Sequence, residues 1–168
     1  MIELIFVIVI LGILASVAIP RLAATRTDAE ISATVANLRT LLNDVASYYA
    51  VKGEFGNAKW RDLTNVTLQL SKNNPIESNT PVTTNAHLAA DGKNCILIKL
   101  VDRTTTATGT VPAHILFSKD RNNRLTGLCK EILEADAVRA FVESTAEGVD
   151  VTGKGDGAIA IGSSTTIY

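Results

Sequence analysis

The chain has 168 residues, with 16 Lys and Arg against 17 Asp and Glu and a formal net charge of −1. That length suits one domain, or one domain with an extended element. The near-neutral balance excludes a basic field of the kind that carries generic nucleic-acid binding, and there is no acidic tail. The charges are unevenly spread: from Met1 to Pro20 the only charged side chain is Glu3. The two cysteines, Cys95 and Cys129, both lie in the C-terminal half. In a reducing compartment such a pair stays as thiols, and in an oxidising one it forms a disulfide. The N-terminal segment decides between these cases.

Met1 to Ile19 reads MIELIFVIVILGILASVAI. A helix of about 20 residues spans roughly the 30 Å of a bilayer core. The apolar region of a secretory signal is shorter and ends at small residues where it is cut. Here the pattern runs through Pro20 into a further helix. A plain membrane anchor accounts for the hydrophobicity but leaves three details without a purpose. The first is Glu3, because an acidic side chain in a span costs roughly 2.5–3.5 kcal/mol at the helix centre and less near the interface. Its natural partner is a cation on another copy of the chain. The second is Gly12 with Ser16, a spacing of small residues that lets helices approach closely. The third is Pro20, which removes a backbone donor and disfavours helix at Ile19. With Gly12 also a poor helix former, the stretch from Gly12 to Pro20 is expected to be the weakest part of the helix.

From Arg21 to Lys52 the chain reads as an amphipathic helix. Ile31, Val35, Leu38, Leu42, Val45 and Tyr49 recur at spacings of three and four, the stripe of one buried face. Arg26, Glu30, Arg39, Asn43 and Asp44 occupy other faces, and Gly53 is a plausible stop. A continuous helix over 1–52 would be about 75–80 Å long. No globule of this size can hide such a rod. Residues 1–20 are therefore expected in lipid or in a bundle of other copies, and residues 21–52 against a head domain formed by residues 53–168.

The head is expected to be β-rich. Glu54 to Ala90 is polar, with turns at Asn73-Asn74-Pro75 and Asn79-Thr80-Pro81, and reads as a connecting loop with short pieces of structure. Cys95–Val101 alternates as a strand, His114–Ser118 as a second, and Arg124–Cys129 as a third. The Thr-rich run Thr104–Thr110 reads as a hairpin loop with flanking strand. Lys130–Glu143 has a helical rhythm through Ile132, Leu133, Val138, Phe141 and Val142, and Ala158–Tyr168 is β-like and closes the sheet. The fold class is α+β: a long N-terminal helix packed on a small C-terminal antiparallel sheet. The stripe from Ile31 to Tyr49 covers one face of that sheet.

The segment MIELIFVIVILGILASVAIPRL resembles the N-terminal motif of type IV pilins and of the pseudopilins of type II secretion. It combines Glu3, Gly12 and Pro20 at that family's spacing inside one uncharged run. The resemblance covers the first 22 residues strongly and the helix to Lys52 in character. Beyond that it is one of kind: a sheet, and a cysteine pair near the end. It implies a structural subunit that leaves the bacterial inner membrane and polymerises into a helical surface filament with many copies of itself, aided by an assembly machinery. It implies a leader removed by a peptidase and a methylated N-terminal residue. The family's glutamate is the fifth mature residue and Glu3 is third here, so the sequence is expected to begin two residues inside the mature chain. Glu3 is expected to neutralise the N-terminal amine of a neighbouring subunit, and Gly12–Pro20 to match the stretch that loses helix in assembled pili. An extracytoplasmic head favours a Cys95–Cys129 disulfide, whose loop of about 35 residues would contribute roughly 3–4 kcal/mol. A pseudopilin in a short periplasmic filament, and a membrane-anchored periplasmic domain that never polymerises, are the alternatives. Adhesion, motility, DNA uptake and electron transfer are roles of the family among which the sequence does not choose.

Catalytic chemistry has little support. His87 in a polar loop and His114 at a strand start are the only histidines, and they read as incidental polar residues. A His/Cys metal site needs more ligands than the chain supplies. Asp120, Asn122 and Glu131 echo a calcium loop, but Arg124 and Leu125 stand where a ligand and a glycine belong. Asp150 and Asp156 are weaker candidates for the same ion. Gly153–Gly157 lacks the phosphate-loop spacing and reads as a turn. Tyr48, Tyr49, Phe55 and Trp60 read as core. No enzyme, cofactor, metal or specific nucleic-acid partner is expected.

Overall fold

A computed structural model describes residues 2–71, 74–90, 92–106, 109–119, 127–144 and 156–162. The fold is α+β, a long N-terminal helix packed on a C-terminal antiparallel sheet. Helix α1 is continuous from Ile2 to Lys52, 51 residues. Gly12 and Pro20 do not interrupt it in the single chain. It ends where the sequence places a glycine: Gly53 adopts φ +76°, and its N–H donates to Tyr49 O at 2.7 Å. That left-handed residue satisfies an orphan carbonyl of the last turn at little steric cost.

After α1 come the single-turn helix α2 (Trp60–Leu63), β1 (Gln69–Ser71), β2 (Asn74–Pro75), β3 (Ala86–Ala90) and β4 (Lys93–Val101). A two-stranded hairpin follows, β5 (Thr104–Thr106) with β6 (Gly109–Val111), in the Thr-rich run as expected. Then β7 (His114–Lys119), helices α3 (Leu128–Glu134) and α4 (Asp136–Val142), and β8 (Asp156–Ala160) complete the described elements. The main sheet has the order β2-β1-β3-β4-β7-β8, with antiparallel pairing throughout.

One face of this sheet is the core. Ile96, Ile98 and Leu100 of β4 lie across from Leu88, Ala86 and Ile115, and Phe117 lies across from Gly157. Leu38, Leu41 and Val45 of α1 join them in the same buried cluster, each at most 1% exposed. Burying each such side chain is worth roughly 1.5–3 kcal/mol, so this stripe holds rod and head together. Ile31, Val35, Leu42, Tyr48 and Tyr49 flank it, half-buried. Leu41, absent from the expected stripe, sits at its centre because the buried line runs Thr34, Leu38, Leu41, Val45. Helix α4 covers β7 and β8: Phe117 and Phe141 meet edge-on at 6.0 Å between centroids. A Cβ on Gly157 would overlap the backbone of Phe141 and Val142, so only glycine lets β8 come this close.

Three expectations need correction. Leu128 and Cys129 are helical rather than the end of a strand; residues 120–126 lie outside the described residues. Leu128, Cys129, Ile132 and Leu133 form one apolar helical face, and Gly127 (φ +63°) starts it. The single helical rhythm over 130–143 is two helices that meet at Ala135, whose extended backbone (φ −63°, ψ 127°) breaks the turn. His87 lies in a strand, not a loop: Ala86, Leu88 and Ala90 point inward and His87 and Ala89 outward. Alanine is depleted in strands, which masks that alternation in the sequence. In the tail, Ala158–Ala160 belong to β8 as expected, and residues 163–168 lie outside the described residues.

Truncation at the centre of the stripe tests this arrangement. Leu41→Ala is expected to destabilise the head by about 2–5 kcal/mol in denaturant unfolding of the full chain in detergent. A loss below about 0.5 kcal/mol would mean that the rod does not contribute to the core.

Candidate functional site

The largest feature of the surface is the front of α1. From Ile2 to Leu22 every large apolar side chain is exposed, from 42% at Ile10 to 83% at Ile2. Head cover begins only near Ile31, and the first fully covered position is Thr34, 7% exposed. A water-soluble monomer rarely shows a contiguous apolar patch larger than a few hundred Å². This half-rod exceeds that by far, and it is long and apolar enough to cross a membrane. Apart from the first-turn donors and the Ser16 carbonyl opposite Pro20, its backbone donors and acceptors pair within the helix, as lipid requires.

The three residues singled out in the sequence all lie on this half-rod. Glu3 sits in the first turn, exposed, the one charge of the segment. At Gly12 an added Cβ would meet nothing within 4 Å. No contact inside the chain requires a glycine there, and glycine weakens a helix by about 1 kcal/mol relative to alanine. The nearby hydroxyl of Ser16 donates to Ile13 O at 2.7 Å, so it needs no partner from another helix. Pro20 lies within the helical run and, lacking an N–H, leaves the Ser16 carbonyl without its usual donor.

The junction between rod and head joins aromatic residues expected in the core, Tyr49, Phe55 and Trp60, with polar contacts the sequence did not point to. Asp102, just after β4, accepts hydrogen bonds through Oδ2 from Phe55 N at 2.9 Å and Gly56 N at 3.2 Å. Its Oδ1 accepts from Arg103 N at 3.2 Å. Phe55 packs against Tyr49 at 5.1 Å between centroids. Asp44 on α1 accepts from Thr64 Oγ1 at 2.7 Å, and Thr64 Oγ1 accepts from Val66 N at 3.1 Å. Trp60 is buried and donates from Nε1 to Thr84 O at 2.9 Å. The hydrogen bonds from Phe55 and Gly56 to Asp102, from Thr64 to Asp44 and from Trp60 to Thr84 join residues 20 to 47 apart along the chain, so no local pattern reveals them.

Cys95 and Cys129 form a disulfide with Cα atoms 5.2 Å apart, tying β4 to α3. Cys95 sits where the β3–β4 register shifts: Leu88 pairs with Ile96 and Ala89 with Asn94, which leaves Cys95 as the extra residue. The bulge explains why Cys95 and Ile96 are both buried although neighbours along a strand normally face opposite ways.

The two histidines lie apart, His87 on β3 and His114 on β7 with β4 between them. His114 is buried, with Nδ1 2.8 Å from Pro112 O. Among the described residues no group of three His, Cys, Asp or Glu side chains is placed to hold a metal ion. Asp120, Asn122 and Asp150 lie outside the described residues, and Glu131 is exposed on α3. A shallow cavity of about 270 Å³ beside Tyr49, Arg103 and Ala113 is smaller than most ligand sites.

Asp102 carries a direct expectation. Asp102→Ala leaves three backbone donors without their acceptor and should lower stability by about 1–3 kcal/mol. Asp102→Asn, which keeps one carbonyl oxygen, should lose less. Equal stability of all three chains in denaturant unfolding would remove Asp102 from the junction.

The long apolar helix, small antiparallel sheet and disulfide are together compatible with a pilin-like fold. Compared with known proteins, the chain matches no family model, no curated protein and no solved structure at a significant level.

Proposed function

We propose that the chain is a structural subunit of a type IV pilus, held in the inner membrane by the front of α1 and then polymerised through it into a helical surface filament. The observation that carries this reading is the exposed apolar half-rod with one carboxylate near its tip. Membrane residence alone asks only for apolar length. Glu3 raises the cost of that residence, and an assembly in which it meets the N-terminal amine of a neighbour offsets the cost. Gly12, with open space around it, is suited to a rod that another rod approaches closely.

The head supports the same division of labour. Its described sheet edges are poor templates for strand addition. β2 has two residues, one of them Pro75, which has no N–H to donate. On β8, the Ala158 N–H already donates to Ser144 O at 2.8 Å. Edges protected in this way do not join copies through their sheets, which leaves the rod as the adhesive surface.

Two substitutions test the proposal. Glu3→Ala should leave membrane insertion intact, read by fractionation, and abolish or sharply reduce filaments in electron micrographs. Abundant normal filaments from this variant would sink the reading. Gly12→Leu should spare the monomer, because nothing stands within 4 Å of the new Cβ, and should impair assembly by holding the rods apart. Micrographs of the unaltered chain also measure filament length, which is long for a pilin and short for a pseudopilin.

A further inference from the structure

Besides the apolar half and the head-covered stripe, α1 has a third longitudinal surface. Arg21, Asp28 and Arg39 are all exposed. They are separated by seven and eleven residues, about two and three helical turns, so they stand in line on one face. That face lies roughly 120° around the helix from the stripe of Leu38, Leu41 and Val45. The signs along it alternate, positive, negative, positive. Among the described residues, ion pairs join Lys130 to Glu134 and Arg139 to Asp136 and Glu143, all in α3 and α4 or the residue after. None involves Arg21, Asp28 or Arg39. All three residues follow Pro20, so their spacing does not depend on the helix between Gly12 and Pro20.

We infer that this face is a contact between neighbouring copies of the chain and sets the axial stagger of their rods. Parallel rods in register would put Arg21 beside Arg21 and Asp28 beside Asp28. Displaced by about two turns, roughly 10 Å, they bring Arg21 of one copy beside Asp28 of the next. Displaced by about three turns, roughly 16 Å, they bring Asp28 of one beside Arg39 of another. A helical filament surrounds each copy with neighbours at more than one height, so both pairings can coexist. Like charges held side by side are penalised and opposite charges favoured, and both effects grow as packed rods exclude water. The inference rests on the filament reading and adds to it a register, chosen by charge, in the segment just beyond the apolar run.

The competing explanation is that Arg21 reaches a lipid headgroup while Asp28 and Arg39 face solvent. Charge exchange separates the two. The full chain is produced as the sole subunit in four forms: unaltered, Arg21→Asp, Asp28→Arg, and the full reversal Arg21→Asp, Asp28→Arg, Arg39→Asp, which keeps both pairings with their signs exchanged. Each single change should reduce filament number by about tenfold or more, and the full reversal should restore it. Singles that assemble normally, or a full reversal no better than the singles, overturn the inference; so does harm confined to Arg21→Asp. Unfolding of the detergent-extracted chains checks that the head is intact. A second measurement covers variants that fold badly. Cysteines placed at 21 and 28 of one chain are about 10 Å apart, too far to bridge each other. In oxidised filaments the Arg21→Cys, Asp28→Cys chain should therefore give a ladder of covalent multimers, and each chain with only one of these substitutions none, Cys95 and Cys129 being already joined. Dimers from a chain with one added cysteine would mean rods in register, and no ladder would mean that the faces do not meet; either result overturns the inference. Absence of filaments from the unaltered chain would overturn the filament reading itself, and this inference with it.

Discussion

The rest of the molecule follows from a mismatch of lengths. The head covers α1 from Ile31 to Tyr49, while α1 runs for 51 residues. A small sheet one strand-length across can cover only a few turns of a helix, here those centred on Leu38, Leu41 and Val45. The remaining apolar surface has to be buried by something outside the chain. Lipid and other copies of the chain can each do this, because both satisfy the same apolar side chains. On the proposed filament reading, one replaces the other as the subunit leaves the membrane.

The attachment of head to rod is distributed over several kinds of contact. Apolar burial along the stripe supplies most of the favourable free energy but little directionality. Direction comes from the helix end: the left-handed Gly53, the Phe55–Tyr49 ring contact, and the Asp102 carboxylate that gathers two backbone donors from the turn after α1. The Asp44–Thr64 hydrogen bond fixes the rod a second time, about two turns earlier. The disulfide acts elsewhere, binding α3 to β4 so that the helices above the sheet stay in place. The contacts to α1 limit motions of the head relative to the rod, and the disulfide limits motion within the head.

How much of this was legible in the sequence depended on the range over which each pattern acts. The rod, its end at Gly53, the strand around Ile96–Leu100 and the Thr-rich hairpin are written locally, in periodicity and in turn residues. The half-rod and its single charge were legible for the same reason. β3 was hidden because its alternation is carried by alanines, and α3 because the apolar pair Leu128–Cys129 could be read with the residues before it or after it. Asp102 and Gly157 left no local trace. The first serves donors 46 and 47 residues away, and the second owes its identity to the backbone of α4. Such residues are defined by what the fold brings to them.

The protected edges of the sheet bear on how many heads can be crowded together. Folded domains with open strand edges, when held at high density in a membrane, exchange strands and fuse into irregular aggregates. Here β2 is short and carries Pro75, and Ala158 of β8 has given its outward donor to Ser144. Heads of this kind can jostle at the concentrations a membrane patch or a filament imposes without losing their separate identities. On the proposed filament reading, folding of the head and polymerisation of the rod depend on different atoms, so a surface change on one leaves the other intact.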